Sequence, residues 1–154
     1  MNFQIPQSMI DEHEELHTDL KKAILVGGKV GHAAKVVSDI LHPHFEREEK
    51  FALPPLSLLS ALSRGEIEPE MAEVFAMTNV LKAELPSMLK EHKAIVAALG
   101  KLKEAAIEEK KPDVVHFAEK FALHAQTEEQ VSYPTAILIG EYLKLKLVRE
   151  ENMV

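Results

Sequence analysis

The stretch HFEREEKFALP at residues 44–54 returns eighty residues later as HAQTEEQVSYP at 124–134, with the histidine, the glutamate four places on, a second acid beside it and the closing proline all in register. The echo extends upstream, where MIDEHEEL at 9–16 resembles MLKEHKAI at 88–95 at an offset of 79. The chain therefore reads as two copies of one unit, each with Glu-His early and His-x-x-x-Glu late. No other feature limits the fold as strongly. Each unit reads as a helical hairpin closed by a short turn, and two such hairpins build an all-α, up-down four-helix bundle.

Hydrophobic spacing supplies the helices. Ile10, His13, Leu16, His17, Leu20, Ala23 and Ile24 form a stripe that begins with a capping pattern at Ser8 and stops at Gly27-Gly28. Ala33, Val37, Ile40, Leu41, His44, Glu48 and Phe51 predict a second helix over about 31–51, with a kink or irregular turn at Pro43. Residues 55–68 read as a short connecting helix or loop, and Pro69 opens a helix expected to bend at Pro86. In the second copy, Met88, Leu89, His92, Ile95, Val96, Leu99 and Leu102 predict a helix over about 87–108. Val114, Phe117, Phe121, His124, Glu128 and Val131 predict another from Pro112 to Pro134. A last helix, over about 135–150, either packs on the bundle or forms a dimer contact. The expected organisation is one domain over residues 1–154, with the bundle core at about 8–134.

In an antiparallel hairpin the start of the first helix lies beside the end of the second. At ~1.5 Å per residue, His13 to Gly27 spans roughly 21 Å and Gly31 to His44 roughly 20 Å, so the two histidines reach one level. The second copy matches less closely, roughly 24 Å from His92 to Glu108 against roughly 17 Å from Asp113 to His124, a difference that a frayed end or a longer turn absorbs. Histidine and glutamate at i and i+4 share a helix face, and Glu48 and Glu128 stand on the apolar stripes. An ionised carboxylate in a core is costly unless it is paired or bound to a cation, and no lysine or arginine shares these stripes. Four inward histidines (His13, His44, His92, His124) and two inward glutamates (Glu48, Glu128) point to divalent metal. Six imidazole and carboxylate ligands suit two iron or manganese ions, or zinc, better than calcium.

Other candidates read as bland. His42-x-x-x-Glu46 lies on another side of its helix and is expected in solvent, His116 is expected at the surface, and His32 at the far end of the bundle. Glu49 and Glu129 are expected to be exposed, or to orient a ligand histidine. Neither Tyr133 nor Tyr142 has a role legible in the sequence. The formal charge of −7 without a basic patch argues against nucleic acid, and no apolar stretch is long enough to span a membrane. The absence of cysteine excludes thiolate zinc sites and iron–sulfur clusters, and with no visible signal peptide a cytoplasmic setting is expected.

Glu12-His13, His44-x-x-x-Glu48 with Glu49 and Pro54, Glu91-His92, and His124-x-x-x-Glu128 with Glu129 and Pro134 together resemble the hemerythrin-like, or HHE cation-binding, family over roughly residues 8–134. The resemblance implies an up-down bundle around a non-heme centre of two iron ions joined through oxygen, with zinc or manganese as alternatives. It implies His13, His44, His92 and His124 as terminal ligands and Glu48 and Glu128 as bridges. Oxygen-carrying members add a fifth histidine four residues from the one on the third helix, but here those positions are Met88 and Val96. His17, one turn after His13, is the candidate substitute. Without it the resemblance implies a four-histidine type, similar to relatives implicated in iron handling, oxygen or nitric oxide response, or repair of iron centres. A di-iron oxidase or peroxidase and a metal-free helical interaction module are the alternative readings.

Overall fold

The computed structural model describes residues 2–151, so Met1 and residues 152–154 of the expected domain lie outside the described residues. Its α-helices are α1 (Gln7–Leu25), α2 (Gly28–Arg47), α3 (Leu59–Ser63), α4 (Val74–Glu108), α5 (Pro112–Thr127) and α6 (Tyr133–Glu151), and the described residues contain no strand. The chain is all-α. α1 packs on α2 and α5, and α4 packs on the same two helices, which closes a four-helix ring. Gly27 and Gly28 make the first hairpin turn with φ of +75° and +57°, a conformation that glycine adopts without steric cost.

Of the two roles foreseen for the last helix, packing on the bundle is observed. α6 lies along the first half of α4 and buries Ala136, Ile139 and Leu143. Gly140 comes so close to α4 that a β-carbon there would collide with the Thr78 side chain.

The apolar interior has two parts. One runs through the hairpin ends of α1, α2, α4 and α5, from Leu16 and Val37 to Leu99 and Phe121. The other joins Phe51, Leu53, Met71, Leu81, Met88, Tyr133 and Ile139 beneath the connecting segment and α6. The histidines and glutamates of the repeat fall in the gap between these two clusters along every helix.

Several local expectations change. Ser8 lies inside the first turn of α1, and the N-cap residue is Pro6, which offers no side-chain cap. α2 passes through Pro43 and α4 through Pro86 without a break in the helix. Each proline is exposed, and so is the residue four before it (Asp39 or Lys82), so water can satisfy the carbonyl that each proline leaves without a donor. Because α4 is continuous over 35 residues, His92 sits near its middle and not near a helix start. The irregular turns come later. Glu48–Ala52 and Glu128–Ser132 are π-helical, with the Leu53 and Tyr133 N–H groups donating to the carbonyls of Glu48 and Glu128. Each wide turn ends one residue short of Pro54 or Pro134 and makes room for a ring that would otherwise press on the carbonyl four residues back. Pro134 therefore does not end the helical run, which continues as α6.

Candidate metal centre

The four helices of the ring deliver six polar side chains to one layer. His13 comes from α1, His44 from α2, His92 from α4 and His124 from α5, while Glu48 and Glu128 are the first residues of the two π-turns. All six are buried. His44, Glu48, His92 and Glu128 bring ligand atoms within 4.8 Å of one another, and His13, His124 and Glu128 do the same. Glu128 belongs to both groups. Glu48 also reaches across, with Oε1 at 3.0 Å from His44 Nε2 and Oε2 at 3.7 Å from His13 Nε2. The two carboxylates thus lie between two histidine pairs, His44/His92 and His13/His124.

Each histidine turns Nε2 inward and Nδ1 outward, and each Nδ1 faces a carboxylate. Glu91 Oε2 lies 2.7 Å from His44 and Glu12 Oε1 2.7 Å from His124, while Glu129 Oε1 lies 3.1 Å from His92. Glu49 Oε1 approaches His13 at 3.6 Å, an ion-pair distance longer than a hydrogen bond. The arrangement follows the repeat: the Glu-His glutamate of each copy serves the histidine on the second helix of the other copy. The acid after each inward glutamate serves the first histidine of its own copy. An N–H donated outward leaves the Nε2 lone pair facing inward, the tautomer that a metal requires. Arg47 pairs with Glu91, on the outside. Among the described residues the ion-pair partners of Glu48 and Glu128 are His13, His44, His92 and His124, and none is a lysine or arginine.

Electrostatics bear the marks of this crowding. Burial alone would raise the Glu48 pKa, but the His44 and His92 imidazoles beside it outweigh that and hold the carboxyl below its usual range. For His124, burial pulls the pKa down, yet Glu128 and Glu12 overcome it and raise the group to about 9. Among the described residues, three buried side-chain atoms nevertheless lack a hydrogen-bond partner: Glu48 Oε2, Glu128 Oε2 and His124 Nε2. His124 Nε2 does lie 3.3 Å from Glu128 Oε1, close enough for attraction but not aligned as a hydrogen bond. Orphaned acceptors turned into a layer of imidazoles are the donor set that a divalent ion satisfies, and nitrogen and oxygen ligands without thiolate fit iron, manganese or zinc.

The six inward residues singled out from the sequence meet in this layer, and His17 does not. His17 belongs to neither group. It is half-buried with its ring edge-on to Phe45 at 5.0 Å, and Phe45 in turn stacks on His13 at 4.1 Å. His42 and His116 are exposed, as foreseen, and so is His32. Sequence reasoning missed Tyr133. Its ring is fully buried and its hydroxyl donates to Glu48 Oε1, with His92 Nε2 at 3.0 Å and His44 Nε2 at 3.3 Å. Burial, then the charges of Glu48 and Glu128, push its pKa well above that of a free phenol. It also missed the tasks of Glu12 and Glu91, although the repeated Glu-His dipeptide was a visible signal. Comparison with protein-family models, with curated proteins and with solved structures returns no match for any part of the chain.

Proposed function

We propose that the chain holds two metal ions side by side, bridged by Glu48 and Glu128, as a non-heme di-iron protein of hemerythrin-like type. In this reading it meets oxygen, nitric oxide or another small oxidant in a redox-response or iron-handling role. The observation that carries the reading is that Glu128 serves two buried ligand groups while Glu48 Oε2 and Glu128 Oε2 have no hydrogen-bond partner. A buried acceptor left in that state costs roughly 1–3 kcal/mol, and two cations between the carboxylates remove the cost for both. Iron, over manganese or zinc, rests on the resemblance of the His-x-x-x-Glu motifs.

The residues divide the work. His13 and His124 would hold one ion and His44 and His92 the other, each ring kept in position by its outer carboxylate. Glu48 and Glu128 neutralise charge and fix the separation of the pair. The apolar clusters above and below exclude bulk water, which strengthens every charge interaction in the layer. Bound iron supplies coordination positions for a diatomic ligand and one-electron redox capacity.

Anaerobic reconstitution with ferrous iron, followed by metal analysis, tests the reading. Two irons per chain are expected, with loss in His44→Ala. A value well under one iron per chain in the folded wild-type protein overturns it.

A further inference from the structure

The two halves of the centre are related by the repeat, but they are not equal. An offset of eighty residues places Tyr133 opposite Leu53, the residues that follow the two π-turns. Both are buried. At the His44/His92 half, the Tyr133 hydroxyl contacts Glu48 Oε1 and both Nε2 atoms, so it lies among the atoms that would ligate an ion there. At the His13/His124 half, Leu53 offers no donor atom. Instead there is a cavity of about 70 Å³ against His13, His124, Glu128 and Leu53. Glu12 and Thr127, both exposed, form its outer rim. That volume is several times the roughly 10–15 Å³ that admits one water-sized molecule.

We infer that the two metal positions are chemically distinct: Tyr133 Oη is an additional ligand at the His44/His92 position, and small exogenous ligands enter at the His13/His124 position. The inference rests on the dinuclear reading above. Tyrosine is an established oxygen ligand of iron in proteins, and like any such ligand it binds as the deprotonated form. Coordination forms one metal–oxygen bond and releases the phenol proton to solvent, with no change of oxidation state. The position that keeps Tyr133 is thereby closed to a further small ligand, and the position beside Leu53 stays open.

The experiment uses the full chain loaded with ferric iron, its metal content measured, with visible absorption and resonance Raman spectra recorded before and after addition of azide as the probe. Wild-type protein is expected to bind two irons and to show iron-enhanced tyrosinate vibrations. Azide is expected to add its own charge-transfer band while the tyrosinate vibrations remain. Tyr133→Phe is expected to lose the tyrosinate signal and keep two irons. Two irons without tyrosinate vibrations overturn the role of Tyr133 and leave the dinuclear reading standing. Failure of azide to bind, or displacement of the tyrosinate signal by azide, overturns the assignment of the open half. Less than one iron per chain overturns both the inference and the reading beneath it. The deciding spectra come from wild-type protein, so they hold whether or not the variant folds.

Discussion

Removing the outer carboxylates one at a time should weaken the two halves of the centre separately. Glu12 Oε1 lies 2.7 Å from His124 Nδ1, and Glu91 Oε2 lies 2.7 Å from His44 Nδ1. A hydrogen bond to a charged group contributes roughly 1.5–3 kcal/mol, less where water competes. The Glu12 side chain is 47% exposed and is paired with His124. Glu12→Ala should therefore cost the His13/His124 position about 1.4 kcal/mol, or tenfold in metal affinity. Glu91 is 30% exposed and is also held by Arg47, so it is the better ordered of the two. Glu91→Ala should cost the His44/His92 position more, toward the hundredfold end of the range for groups that orient a metal ligand. The assay is anaerobic titration with ferrous iron followed by calorimetry. Each variant should weaken one of the two binding events and leave the other at its wild-type strength. Glu12→Gln and Glu91→Gln keep an acceptor oxygen and should recover most of the loss. At free metal one hundred times Kd, binding stabilises the fold by about 2.7 kcal/mol, and a tenfold weaker site gives up about half of that. For a chain of this size the loss is about 3–5 °C in the Tm of the loaded protein, with the metal-free Tm nearly unchanged. Equal weakening of both events by either variant, or no weakening at all, would refute the assignment of each carboxylate to one histidine.

Other outcomes follow from the same geometry. His124 is raised from 6.5 to about 9 in the folded metal-free protein, so its contribution, about 3 kcal/mol, is complete below pH 6.5 and disappears as pH rises through 9. Thermal melts of the metal-free chain across that window should show the decline, whereas metal loading should strengthen with rising pH because protons compete for Nε2. Gly140→Ala should lower stability by about 1–3 kcal/mol in denaturant titrations, because its methyl group has to displace Thr78 or move α6. His17→Ala should leave the metal content at its wild-type value by elemental analysis, because the ring sits on Phe45 outside both ligand groups.

The repeat made much of the arrangement legible. Spacing at three and four residues put His13, His44, His92 and His124 on apolar faces, and the two hairpins put those faces together. What could not be read depends on contacts between distant segments. The solvent exposure of Pro43 and Pro86, which lets the helices pass through them, is a property of the packed bundle. The cross-copy reach of Glu12 to His124 and of Glu91 to His44 joins residues far apart in the chain, and no local pattern states it. Tyr133 was hidden for a related reason. A helix was expected to stop at Pro134, which would have left the tyrosine at a chain turn. The π-turn before it rotates the residue inward, and helical spacing alone does not foresee that rotation.

The division of the interior by a polar layer has a consequence for how the molecule comes apart. Each apolar cluster is knit by its own contacts, and what joins them is the backbone of the four long helices and a sheet of imidazoles and carboxylates one side chain thick. Such a plane is a seam between two cooperative units, and local opening free energies need not be equal on its two sides. Ions held by residues from all four helices would act as rivets along that seam. Their effect should be read in the shape of the unfolding transition as well as in its midpoint: two unequal steps without metal, and one sharp step with it.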